Sequence, residues 1–219
     1  MISIIMPCKN VGKYLRRALD SLKKQKSDYE VIFCDGGSTD DTIAIAKEYG
    51  ITPVSFKDSN WAEGVNIGIE KAKGDILYQF NGDDELLDDA LVNIVNFYKE
   101  HPGTEWTYCP CRILFSNGFF YMGKEKDITL EKQLAGNKIP GMAVHFTPGF
   151  IKKYGNFDFK GFPFASDYDF WTRAISQGAK PVQIPVETVI YHAHGDNLGL
   201  RPEGTLECNV IKKKYAPKS

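Results

Sequence analysis

Two adjacent carboxylates, Asp83 and Asp84, with Glu85 behind them, close the stretch GDILYQFNGDDEL. Ile76 to Phe80 is a short apolar run carrying one tyrosine, bracketed by Gly74 and Gly82, and it reads as a buried strand. Clustered like charges at the end of such a strand are unusual, because neighbouring carboxylates repel and burial strengthens the repulsion. A divalent cation holding a phosphate would resolve the conflict, since Mg²⁺ and Mn²⁺ are often held by one or two carboxylates plus substrate oxygens. The competing reading is a solvated acidic turn that caps a helix starting near Asp88. This stretch alone does not choose between them.

A second acidic cluster lies in FPFASDYDFWTRAISQG. Asp167 stands at or just before a helix N-terminus, behind Phe162, Pro163 and Phe164. It reads either as an N-cap or as a general base in an aromatic-walled pocket. Asp169 falls in the first helical turn, where its charge suits the helix dipole. His192 and His194 share one face of a strand end; such a pair is either structural or able to reach a metal or a diphosphate. Asp35 ends another strand, and Gly36 and Gly37 after it allow a ligand to approach the backbone closely. Asp40 and Asp41 read as helix-capping carboxylates. Trp61 and Trp171 fall in helical apolar patterns and read as core.

These residues need elements to position them. Ser3 to Met6 is a buried strand stopped at Pro7, followed by a loop with Lys9, Asn10 and Gly12. Tyr14 to Gln25 has a helical apolar stripe at Leu15, Ala18, Leu19 and Leu22. Tyr29 to Cys34 is a strand, and Thr39 to Tyr49 a helix marked by capping-box spacing at Ser38 and Asp41. Ile51 to Phe56 is a third strand and Trp61 to Lys73 a third helix. Strands alternating with helices imply a mostly parallel central sheet with helices on both faces, an α/β fold. Ligands bind beyond the carboxyl ends of such strands, which is where Pro7, Asp35 and Asp83 fall. The second half is predicted to hold a helix at Leu91 to His101 and a strand at Trp106 to Phe115. A hairpin through Asn117-Gly118 returns along Phe119 to Gly123. A short helix (Leu130 to Leu134), a strand (Met142 to Phe146), a helix (Gly149 to Tyr154) and a helix running to Gln177 follow. Pro181 to Ile184 and Thr188 to His192 close the pattern as strands. From Gly195 the composition turns to Gly, Asn, Pro and Glu, and a mobile tail is expected over 198–219. Residues 1–197 read as one domain, with a ligand-binding half over 1–100 and a second half over 101–197.

With 219 residues, 42% apolar and 25% charged, the chain has the composition of a soluble globular protein. A net charge of −1 provides no broad basic field to collect nucleic acid or anionic lipid. No apolar run approaches the roughly 20 residues that cross a bilayer, so no integral span is expected. The first apolar run, ISIIM, is too short for a signal peptide. Five scattered cysteines, with Cys109 and Cys111 too close for an ordinary disulfide, read as reduced thiols in a cytoplasmic protein. Neither G-x-G-x-x-G after the first strand nor G-x-x-x-x-G-K-[ST] is present.

SIIMPCKN, EVIFCDGGSTDDT and N-x-G-I-x-x-A-x-GD running into NGDD, followed by GMAVHFTPGFIKKYGNFD, SDYDFWTR and YHAHGDN, resemble a family 2 glycosyltransferase of GT-A fold in the same order. The resemblance covers about residues 2 to 197. It implies an inverting enzyme that takes a sugar from a nucleotide-sugar donor, with Mn²⁺ or Mg²⁺, to a hydroxyl of a glycan acceptor. UDP is the expected nucleotide; glucose, galactose and rhamnose donors are all open. By position, Pro7 corresponds to the loop beside the base, and Asp35 and Gly36 to an acidic pair near uracil, whose second acid is Gly36 here. Asp83 corresponds to the ribose contact and Asp84 to the metal ligand. Asn81 stands where some members have an acid. Asp167 corresponds to the catalytic base, and the chain after His194 to a loop that closes over the donor. A non-catalytic nucleotide-sugar-binding module of a larger polypeptide is the rival expectation, and Trp106 to Lys138 is the expected acceptor side.

Overall fold

A computed structural model describes residues 1–57, 60–198 and 201–217. Its centre is β1 (Ile2–Cys8), buried along its whole length. Alternation along β1 sorts side chains to two faces: Ile2, Ile4 and Met6 enter one apolar core and Ile5 the other. Helix α1 (Gly12–Lys23) covers the first face with Leu15, Ala18, Leu19 and Leu22. Helix α3 (Trp61–Lys71) covers the second with Ala62 and Val65.

The strands β2 (Tyr29–Asp35), β3 (Val54–Ser55), β4 (Ile76–Gln79), β6 (Trp106–Tyr108), β9 (Val144–Phe146) and β10 (Val182–Gln183) complete a seven-stranded sheet, ordered β10-β6-β9-β4-β1-β2-β3. Only β9 runs against the rest. A second sheet, ordered β5-β11-β7-β8, is built from β5 (Glu85–Leu86), β7 (Cys111–Phe115), β8 (Gly118–Met122) and β11 (Val189–His192). The remaining helices are α2 (Thr42–Glu48), α4 (Ala90–Glu100), α5 (Leu130–Ala135), α6 (Pro148–Tyr154), α7 (Ser166–Ser176) and α8 (Pro202–Tyr215). A 3-10 turn, Gly141–Ala143, leads into β9.

Four sequence expectations are corrected. Pro7 does not stop β1; it pairs with Cys34 of β2. Ile5 bonds to the β4 side through the Phe80 N–H, and Cys8 to the β2 side through the Gly36 N–H. By alternation the missing N–H of Pro7 faces the space where β4 has already ended, so no ladder bond is lost. The predicted strand Trp106 to Phe115 is two strands in two sheets, turned at Cys109-Pro110. The capping box at Ser38 and Asp41 is not formed. Helix α2 starts at Thr42, and Asp40 instead accepts the Gly12 N–H (2.9 Å) and the Thr42 N–H (3.0 Å), joining the starts of α1 and α2. Finally, where a mobile tail was expected, residues 202–215 form α8, whose Ile211 is fully buried against Phe162, Ala165 and Tyr168.

Asn66 of α3 connects this scaffold to the segment that leads into α7. Its side chain is buried and spans Phe157, donating to the carbonyl at 2.9 Å and accepting from the N–H at 3.1 Å. An Asn66→Ala variant strands both main-chain groups in the interior. It should lose about 2 kcal/mol or more of stability in denaturant unfolding.

Candidate functional site

Beyond the end of β4 the chain turns through Asn81, Gly82, Asp83 and Asp84 and enters β5. Asp84 is fully buried. Its Oδ2 accepts from Asn81 Nδ2 at 2.9 Å, and its Oδ1 has no partner. The Asn81 Oδ1 accepts from Gln79 Nε2 at 2.7 Å and from Trp61 Nε1 at 3.0 Å. Two donors on that oxygen fix the amide, so its NH₂ must face Asp84. Trp61, read from sequence as core, is therefore half-buried and holds the carboxylate's support. Burial, and then the charge of Asp83, push the Asp84 carboxyl well above the usual carboxylate range.

Asp83 is covered by the chain that follows β11. His194 Nε2 lies 3.0 Å and Asn197 Nδ2 3.1 Å from Asp83 Oδ2. The His194 Nδ1 accepts the Asp196 N–H at 3.2 Å, leaving Nε2 to donate to Asp83. Tyr14 stacks on the His194 ring, with centroids 4.0 Å apart, and its hydroxyl donates to Asp196 Oδ2 at 3.0 Å. Arg17 donates to the Asp83 carbonyl at 2.7 Å. His192 Nε2 sits 3.0 Å from Glu85 Oε2, and burial lowers the pKa of this imidazole. Both histidine side chains of the pair thus face acidic neighbours of Asp84, while the His192 main chain favours the charged form of Asp84. Among the described residues no three His, Cys, Asp or Glu side chains gather as a complete metal cage.

The loop after β2 folds on Asp35, which is buried. Its carboxylate accepts the N–H of Gly37 at 3.0 Å and of Ser38 at 3.2 Å. Gly37 takes φ 81°, a conformation that favours glycine. Asn10 ties the neighbouring loop to this one, accepting the Thr39 N–H at 2.8 Å while its own N–H meets Ser38 Oγ at 3.0 Å. Pro7 and Gly36 are both buried at this rim. The expected base-side residues therefore sit together, with Asp35 shaping the loop.

Asp167 is not an N-cap. It occupies the first turn of α7, after the cap position Ala165, and its Oδ1 accepts the Tyr168 N–H at 2.7 Å. Its Oδ2 lies against Gly141; a Cβ at that glycine would stand 2.8 Å from it. The carboxyl is pushed above its ordinary range by burial. Asp169 is buried deeper and is held by Lys214 Nζ at 2.9 Å and Tyr215 hydroxyl at 3.1 Å, so it belongs to the α7–α8 contact.

Tyr191 of β11 joins the two acidic clusters. Burial raises the pKa of its phenol, and the charges of Asp84, Asp83 and Asp167 raise it further, so all three carboxylates lie within electrostatic reach of one side chain. Tyr191, Tyr14, Trp61 and Gly141 were not singled out as site residues from sequence. Tyr191 and Tyr14 lie in motifs that were quoted for other residues, YHAH and the first helix. Nothing local marks Gly141, because its neighbour Asp167 is far along the chain.

A mostly parallel sheet with acidic strand ends converging on one crevice is the GT-A arrangement of glycosyltransferases. Residues 3–171 match Glycosyl transferase family 2, and the chain belongs to that family. It is a glycosyltransferase. A relative from Mycobacterium bovis, a PGL/p-HBAD biosynthesis glycosyltransferase, is 29% identical over 187 residues, covering 82% of this chain and 71% of that protein. The hyaluronan synthase of Pasteurella multocida is 29% identical over 225 residues, covering 95% of this chain but only 22% of the synthase. Residues 1–349 of TarS from S. aureus, solved with UDP-GlcNAc, superpose with a TM-score of 0.77 at 18% identity. That superposition covers 96% of this chain and 65% of the other. The mannosyltransferase PcManGT of Pyrobaculum calidifontis, solved with GDP-Man and Mn²⁺, has a TM-score of 0.68 at 17% identity, over 90% and 58% of the two chains. No helix among the described residues is long and apolar enough to cross a membrane.

The buried Asp84 has a signature in pH. Its folded-state pKa is raised, so the folded protein holds this proton more tightly than the unfolded chain. The stability that this group contributes to the ligand-free protein is fully present below the ordinary carboxylate range and is lost as pH rises through the raised value. Asp84→Asn should flatten that fall and raise Tm on its alkaline side. Thermal melts across pH check this; an unchanged slope would locate the proton elsewhere.

Proposed function

We propose that this glycosyltransferase moves a sugar, with inversion, from a UDP-sugar to a hydroxyl of a glycan acceptor. The observation that carries the reading is Asp84: a fully buried carboxylate with an unpartnered oxygen, whose charge, like that of Asp167, reaches the Tyr191 phenol. A lone buried anion is costly, and a divalent cation offsets that cost. The donor set fits Mn²⁺ or Mg²⁺, with Asp84 as the protein ligand and diphosphate oxygens as the others. The use of UDP-GlcNAc and of Mn²⁺ in solved relatives supports the same choice. His192 and His194 would join the ligand set only by giving up their carboxylate partners Glu85 and Asp83. When bound, the cation would neutralise charge on the departing diphosphate.

The chain's own residues supply the remaining roles. Asp83 takes the ribose hydroxyls once His194 and Asn197 are displaced from it. Asp35, Pro7 and Gly36 form the rim that receives the base. Asp167 accepts the proton of the acceptor hydroxyl as that oxygen attacks the anomeric carbon, and UDP leaves from the opposite side. A carboxylate whose pKa is raised by burial is a stronger base than an ordinary one. The acceptor enters over β7 and β8. The cross-strand row Tyr191, Ile113 and Phe120 runs outward from the carboxylates, and Phe120 is 50% exposed at its end. A pure binding module has no use for a recessed carboxylate at Asp167.

Two measurements test this. Asp167→Asn should keep UDP-sugar affinity and lower turnover by about 10² or more, with loss of the acid limb of the kcat/KM profile. Near-normal turnover would remove Asp167 from the role. Proton NMR of the first-formed product from an α-linked donor should show a β anomer, and an α product would exclude direct displacement.

A further inference from the structure

Helix α7 carries Asp167, yet it has no cap of its own. Its cap position is Ala165, which offers no side-chain acceptor. The two residues that enter α7 are held instead from α8. Glu207 Oε2 accepts both the Phe164 N–H and the Ala165 N–H, each at 2.8 Å. Two further contacts lock the same helices together. Lys214 and Tyr215 hold Asp169, two residues beyond Asp167, and Ile211 fills the space among Phe162, Ala165 and Tyr168. Cys208 lies close enough to feel the Asp167 charge, its thiol pushed up to about 11 by burial first and by Asp167 second. Asp167 is thus bracketed by α8 on both sides, and α8 lies beyond residues 3–171 that match the family.

We propose that Glu207 is a positioning residue: by accepting the Phe164 and Ala165 amides it fixes the chain entering α7, sets the direction of the helix start and so aims the Asp167 carboxylate across Gly141. The effect is geometric. Asp167 Oδ2 has Gly141 against it with no room for a methyl group, so a small rotation of the first turn moves the carboxylate off its line. A misplacement of about 1 Å at a reacting group is enough to cost orders of magnitude in rate. Glu207 touches neither donor nor acceptor. The inference rests on Asp167 being the base.

The test uses the full chain and three variants: Glu207→Ala, Glu207→Gln and Asp167→Asn. Turnover is read as UDP release from UDP-glucose, UDP-galactose and UDP-N-acetylglucosamine with Mn²⁺. Hydrogen exchange is read over residues 162–170. Glu207→Ala should lower kcat about tenfold or more, leave the donor KM unchanged and speed exchange at the start of α7. Glu207→Gln keeps an acceptor oxygen and should restore both readings. Wild-type kcat in Glu207→Ala, a rise in donor KM in step with the loss of kcat, or a Gln variant as poor as Ala would overturn the proposal. Should Glu207→Ala fail to fold, Glu207→Asp, one methylene short of the two amides, reads the same contrast against Gln. Wild-type turnover in Asp167→Asn would strike the base assignment instead, and the exchange data would then decide the role of Glu207 alone.

Discussion

A buried, half-satisfied carboxylate is the constraint around which this molecule is arranged. Asp84 has one oxygen held by Asn81 and the other left without a partner. Native interiors seldom leave such a group unmatched, because desolvation is not recovered elsewhere. Everything close to it reduces the freedom of that oxygen. Trp61 and Gln79 fix the amide of Asn81, and Arg17 holds the main chain at Asp83. These hydrogen bonds orient the support of Asp84 before any ligand arrives.

The second layer is contributed by chain segments that arrive late in sequence. His194, Asn197 and Tyr14 form a cover over Asp83, tied by a stacked ring pair and three polar contacts. The charges of Asp83, Asp84 and Asp167 all reach the Tyr191 phenol. Helix α8, beyond the residues 3–171 that match the family model, holds the entry to α7. The recurring device is a hydrogen-bonding side chain supplied in trans to a helix or loop that lacks its own. Asp40 does this for α1, and Glu207 for α7.

Much of the arrangement was legible in the residues. The alternating strands and helices of the first half, the acidic strand ends and their convergence follow from period and from the placement of Asp35 and Asp83. The errors share one cause. Ser38 and Asp41 have the right spacing for a capping box, but a cap competes with neighbours across space, and Asn10 and Gly12 claimed that loop. Trp61 fits an apolar stripe, yet its indole N–H needed an acceptor and found Asn81. The segment after Gly195 has loop-like composition, but a single buried residue, Ile211, and four polar contacts dock a helix there.

By itself the sequence determined the elements of the parallel half, the carboxylates at their ends and the order of motifs, because periodicity and turn chemistry act between near neighbours. Only the tertiary structure decided that Trp106 to Phe115 divides between two sheets, that the two histidines pair with Glu85 and Asp83, that three acids reach Tyr191 with their charge and that Glu207 holds the entry to α7. Those partners are separated by tens of residues. Which of many polar groups meet at such a distance depends on how the whole chain closes on its core, and no local pattern carries that information.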